Sequence, residues 1–196
     1  GPEAMATALS RAAERLLAEI AATPTPSREE ALAVAETLAR GRSSLRTYRD
    51  ARGEVEVFCE YLAPQRRLVI FGAGHDAQPL VHMAKLLDWH VTVVDGRSHF
   101  ARAERFPEAD AVLSVDTRQP YALQPLTDGA LVAVMTHSYS QDRHWLGGVL
   151  QGEPLYVGQL GPRERTDRLL GEIGAQATPM PALDRLHYPI GLDIGG

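Results

Sequence analysis

Four consecutive apolar residues, Leu68 to Phe71, run straight into Gly72-Ala73-Gly74-His75-Asp76-Ala77 and then into a largely apolar segment from Leu80 to Leu87. No other stretch restricts the fold as strongly. A G-x-G-x-x-A turn between a strand and a helix uses Gly72 for the tight reversal and Gly74 for close approach of backbone to a diphosphate. Ala77 keeps the helix close to the sheet. The free N–H groups at such a helix start attract anions. Asp95 ends the next apolar run 21 residues beyond Gly74, where a ribose-binding carboxylate belongs. The segment predicts a nucleotide or pterin-nucleotide cleft; the alternatives are a purely structural turn and, for Asp95, a cap before Gly96.

After Pro64, short β-branched runs alternate with helical segments, the pattern of repeated βαβ units. Strands are predicted at Leu68–Phe71, His90–Val94, Ala111–Ser114, Leu131–Met135 and Leu155–Val157. Helices are predicted at Ala77–Leu87, Ser140–Leu150 and Glu164–Ile173, with shorter ones at His99–Arg105 and Tyr121–Leu126. Right-handed crossovers arrange residues 64–196 as an α/β, Rossmann-like doubly wound parallel sheet of order 3-2-1-4-5. Residues 5–63 form a separate N-terminal part. Apolar residues at three- and four-residue spacing predict a helix from Met5 to Ile20. A Ser27/Glu30 capping box opens a second helix that stops at Gly41, and Ser44–Arg49 with Glu54–Tyr61 read as a β-hairpin. Gly1 to Ala4 read as the scar of a cleaved tag.

Composition removes many function classes. The net charge of -5 and the lack of a basic stripe argue against nucleic acid. The longest apolar runs are strand-sized, and Arg11, Glu14, Arg15 and Glu19 interrupt the N-terminal helix. No membrane span or secretory signal is expected, and the chain is placed in the cytoplasm. The single cysteine, Cys59, is too few for a disulfide, a zinc site or an iron–sulfur cluster, so no metal site is expected from protein ligands. It alternates with Val55 and Val57 and reads as half-buried. Lys85 is the only lysine and fits no phosphate-loop, Schiff-base or Tyr-x-x-x-Lys setting.

Further candidates cluster after the strands. Arg97, two residues past Asp95, either binds a further phosphate or pairs with Asp95. Thr136-His137-Ser138 and Asp142 follow the fourth strand, at the sheet edge that carries the glycine turn. His75 and His137 are therefore expected at one crevice as proton donors, oxyanion partners or ligands of a bound metal cofactor, or else as backbone caps. Asp142 orients His137 or caps the following helix. Gly158 to Gly161, Pro162, Arg163 and Arg165 open another helix and make a second anion site on the same edge, the alternative being an ordinary solvated helix.

Taken together, these segments resemble the XdhC/CoxI family of molybdenum hydroxylase maturation factors. The likeness rests on Ile70-Phe71-Gly72-Ala73-Gly74-His75, Val93-Val94-Asp95-Gly96-Arg97, Thr136-His137 with Asp142, Tyr156-Val157-Gly158 through Gly161 and Arg163, and Gly191-Leu192-Asp193-Ile194-Gly195. The resemblance implies a handling protein that binds the molybdenum cofactor (molybdopterin), shields it while a cysteine desulfurase supplies sulfur, and assists insertion into a hydroxylase apoenzyme such as xanthine dehydrogenase. Such a role is physically coherent with these residues: the hypothesis is a cofactor phosphate on the Gly72 and Gly161 helix starts, with His75, His137 and Arg163 facing the metal end. NAD(P) bound by an oxidoreductase of the same fold, or a nucleotide-sensing module, is the alternative. The family's Gly-Ser-x-Pro-Arg and Gly-Gly-Cys segments are absent, so residues 5–63 read as a reduced N-terminal domain. Pro162-Arg163-Glu164-Arg165 replaces the usual Ser-Arg-Arg-Lys. The apolar Pro189–Gly196 tail reads as a loop that lacks its following helix and fits a homodimer.

Overall fold

The computed structural model describes residues 28–50, 53–119, 121–174 and 179–192. The Met5–Ile20 helix, the Ser27 cap and the last four residues of the tail lie outside them. The chain divides into two compact units, residues 1–64 and 65–196.

In the first unit, α1 (Arg28–Arg40) is followed by the antiparallel strands β1 (Ser44–Asp50) and β2 (Gly53–Cys59). Gly41, at φ +59°, turns the chain out of the helix as its position suggested. Ala33 and Thr37 are buried, and the Thr37 hydroxyl bonds that of Ser44 at 2.7 Å. Cys59 is half-buried. The second strand ends at Cys59, two residues short of the expected Tyr61, where the Tyr61 N–H turns to the Ser43 hydroxyl at 2.9 Å.

The second unit runs β3 (Arg67–Phe71), α2 (Ala77–Leu86), β4 (His90–Asp95), β5 (Ala111–Ser114), α3 (Gln124–Thr127), β6 (Leu131–Val134), α4 (Tyr139–Val149), β7 (Tyr156–Gln159), α5 (Arg163–Glu172) and β8 (Leu186–His187). The sheet order is β5-β4-β3-β6-β7-β8, and every neighbouring pair is parallel. The expected 3-2-1-4-5 order is present, with β8 added outside β7. Two residues are too few to show alternation, so β8 had no readable period. The helix expected at His99–Arg105 is only a 3-10 turn at Ala103–Arg105, and that at Tyr121–Leu126 is the single turn α3.

Strand β3 is apolar on both sides because the sheet is covered on both. Val69 and Phe71 join a cluster with Trp145, Leu146 and Leu169 of α4 and α5. Leu68 and Ile70 join another with Ala77, Val81 and Ala84 of α2. Alternation along one strand thus feeds two cores, as a central parallel strand requires. Phe71 stacks on Trp145 at 4.9 Å between ring centroids.

At the carboxyl end of β3 the chain passes between its two neighbours. The Gly72 N–H bonds Val94 O at 2.8 Å, and the Met135 N–H bonds Phe71 O at 2.8 Å. Gly72 has φ +124°, and a Cβ there would lie 2.5 Å from the Met135 carbonyl oxygen. Both the dihedral and the backbone contact exclude a side chain. Gly72→Ala is therefore expected to cost about 2 kcal/mol or more. Urea unfolding of the two proteins side by side measures it, and an unchanged midpoint would contradict this packing.

Candidate functional site

The carboxyl rim of the sheet is built around two buried carboxylates. Asp95, at the end of β4, is fully buried. Its Oδ2 accepts the Ala73 N–H of the glycine turn and Arg97 Nη2, each at 2.8 Å; Oδ1 accepts the Arg97 N–H at 2.8 Å and Arg97 Nε at 2.9 Å. Of the two roles open to Arg97, the structure shows the pair with Asp95. Burial pushes the Asp95 carboxyl up, but the Arg97 hydrogen bond and the Ala73 and Arg97 N–H groups outweigh it and hold it below the usual carboxylate range. The Arg97 guanidinium also lies 4.0 Å from the Phe100 ring centroid. Arg105 reaches back to the turn from the other side, donating to Ala73 O at 2.7 Å. Arg105 ends the 3-10 turn, and no motif in the sequence marks it as a partner of the glycine turn.

Asp142 is the second such carboxylate, on the first turn of α4 and 1% exposed. Its Oδ1 accepts the Thr136 N–H at 3.1 Å and the Thr136 hydroxyl at 2.5 Å. Its Oδ2 accepts Arg165 Nη1 at 2.6 Å and Gln159 Nε2 at 3.2 Å. It makes no hydrogen bond to His137, which it reaches only through the neighbouring Thr136, and it does not cap α4. It ties the ends of β6 and β7 to α4 and α5, which only the sheet order brings together.

His137 stands between these groups in the left-handed region, φ +59°. The Thr136 hydroxyl, whose one proton goes to Asp142 Oδ1, accepts the Ser138 N–H at 3.2 Å and so ties together the two residues that flank His137. A left-handed residue that is not glycine marks a conformation imposed by its surroundings. The imidazole reaches over the glycine turn, and its Nε2 pairs with Asp76 Oδ2 at 2.7 Å. His75 is exposed on the turn itself. The expected meeting of the β3 and β6 loops is present, with Asp76 as a partner that no sequence signal singled out.

Gly161 turns the chain at φ +119° after β7, and Arg163 begins α5. The Arg163 guanidinium lies 5.0 Å from the Tyr188 ring centroid, beyond β8. It does not join the histidine crevice foreseen for it; it walls a groove of about 400 Å³ with Tyr156, His187, Tyr188 and Ile190. Tyr156 stacks on His187 at 4.6 Å, and Ile190 packs against Gly158 where a Cβ would stand. The Tyr188 hydroxyl donates to Asp167 at 3.0 Å; this bond, followed by burial, pushes the phenol up. The rim can thus receive an anion and a flat ring at the Arg163 groove, and it presents a polar, exposed face at the glycine turn. No group of three or more His, Cys, Asp or Glu able to hold a metal occurs among the described residues. No helix among them is long and apolar enough to cross a membrane.

Residues 68–196 match the family model described as the XdhC Rossmann domain. The chain is 30% identical over 139 residues to a protein of Bacillus subtilis named as a probable xanthine dehydrogenase subunit, covering 71% of this chain and 40% of that protein. It is 26% identical over 146 residues to the uncharacterized protein YqeB of Escherichia coli, covering 74% of this chain and 27% of that one. It is also similar to the crystal structure of a xanthine dehydrogenase from Bacillus halodurans, with 27% identity, a TM-score of 0.57, and coverage of 85% of this chain and 60% of that one. The chain spans less than half the length of these curated relatives.

The two carboxylates give two expectations. Arg165→Met would strand the Asp142 charge in the interior and is expected to cost on the order of 3 kcal/mol by denaturant unfolding. Asp95 sits below its unfolded value, so its contribution is complete at neutral pH and is lost as pH falls through the folded pKa, below about pH 4. Arg97→Met removes the two side-chain bonds and the charge that help hold the carboxyl down, and acid unfolding followed by circular dichroism should begin at a higher pH in that variant.

Proposed function

The chain belongs to the XdhC family, and on that premise we propose that it is an accessory factor that binds the molybdenum cofactor for maturation of a molybdenum hydroxylase. The observation that carries the reading is the groove beside Arg163. At about 400 Å³ it lies within the range of small-molecule sites. Its chemistry suits a pterin that bears a phosphate. The guanidinium of Arg163, the first residue of α5, supplies the anion contact. Tyr156 and Tyr188 supply flat apolar surface, and the Ile190 carbonyl, held by the Tyr156 hydroxyl at 3.3 Å, offers an acceptor for ring N–H groups.

In this role the residues hold and shield; bound cofactor supplies the molybdenum chemistry used later by the hydroxylase. Arg163 orients the phosphate end. Tyr188, kept in place by Asp167, and Ile190, seated on Gly158, keep water from one side of the ring. The partners proposed are the hydroxylase apoenzyme, a reading supported by the name of the Bacillus subtilis relative, and a cysteine desulfurase that delivers sulfur to cofactor held on the rim.

A nicotinamide-dependent oxidoreductase is the other class that uses such a sheet. Its ribose carboxylate is the residue at Asp95, whose two oxygens already take four internal hydrogen bonds. The geometry therefore favours the pterin reading.

The test is to oxidise the purified full chain and read the released fluorescent pterin. Retained or titratable pterin is expected, with Arg163→Ala weakening binding at least tenfold, the loss of one charge-assisted contact. NADH binding with hydride transfer and no pterin would overturn the proposal.

A further inference from the structure

The glycine turn holds a group that a dinucleotide site does not have. The second glycine of a G-x-G-x-x-A turn is small so that a diphosphate can occupy the space a Cβ would fill. Here that space beside Gly74 holds the carboxylate of Asp76, whose Oδ1 is the nearest atom to the missing Cβ, with His137 Cδ2 at 3.9 Å. The other oxygen, Oδ2, is paired to His137 at 2.7 Å. Asp76 makes no side-chain bond to the start of α2, so its charge is turned away from the helix and over the turn.

We propose that Asp76, braced by His137, is a specificity-determining residue that closes the glycine turn to diphosphates. The brace is continuous with the buried network. Arg165 fixes Asp142, Asp142 fixes Thr136, and the Thr136 hydroxyl accepts the Ser138 N–H across the left-handed His137. A diphosphate brought to Gly74 would meet a carboxylate both in its volume and in its charge, and like charges at contact repel strongly at a partly buried rim. The turn keeps the backbone of a dinucleotide site while its anion position is filled by the protein. Anionic ligands are thereby directed to the other helix start of the rim, at Arg163. The inference stands on the geometry around Gly74 and does not depend on the pterin reading.

Calorimetric titration of the full chain with inorganic pyrophosphate and with ADP tests it. The wild-type protein is expected to bind neither at the turn, and Asp76→Ala, which removes both volume and charge, to bind ADP at least tenfold more tightly. Asp76→Asn keeps the volume without the charge and should recover part of that gain. His137→Ala leaves the carboxylate in place and should gain less than Asp76→Ala. The His137–Asp76 pair is exposed, with His137 at 67%, so it contributes little to stability and the variants should fold, as thermal melts will show. Wild-type protein that binds ADP as tightly as Asp76→Ala, or no gain in either Asp76 variant, would overturn the proposal. Pterin retention measured on the same variants reports separately on the Arg163 groove.

Discussion

The close passage of Gly72 against the Met135 and Thr136 backbone is the contact on which the rim depends. It lets β3 end between β4 and β6 without a side chain in the way, so the loops after those strands open onto one edge. Without that approach the glycine turn, the Asp95 loop and the His137 loop would not share a surface. The approach is a backbone matter, decided by a positive φ and an absent Cβ, and hydrophobic burial elsewhere only holds it in register.

The two buried carboxylates convert this backbone arrangement into a rigid one. Each ties a loop N–H to an arginine: Ala73 through Asp95 to Arg97, and Thr136 through Asp142 to Arg165. A buried ion pair adds little net stability compared with an apolar pair of equal size, because desolvation offsets attraction. What such a pair contributes is direction. It specifies where a loop sits, and here it specifies the left-handed His137 and the inward-turned Asp95. Both arginines also lie against aromatic rings, Arg97 on Phe100 and Arg165 on Tyr139 at 5.4 Å.

Much of this was legible in the residues. The apolar run from Leu68 to Phe71, the glycines behind it and the later β-branched runs carry periodic signals that only a parallel sheet satisfies, and the strand order followed from the handedness of crossovers. The pairing of Arg97 with Asp95 is local, two residues apart, and was one of two readings open from sequence. The Asp76–His137 pair spans 61 residues and Asp142–Arg165 spans 23, so no spacing rule relates them. Arg163 lies at the helix start that Gly161 and Pro162 mark in the sequence, but its direction depends on Tyr188, which stands after a two-residue strand with no period to read.

The sequence by itself determined the sheet, its order and the loops that gather at its carboxyl edge, because burial periodicity and glycine stereochemistry act over a few residues at a time. Only the tertiary structure decided what each loop presents there. Asp95 turns inward, Asp76 covers Gly74 and Arg163 faces the Tyr188 groove because hydrogen bonds between distant strands, set by how close their backbones come, choose among directions that local chemistry leaves equal.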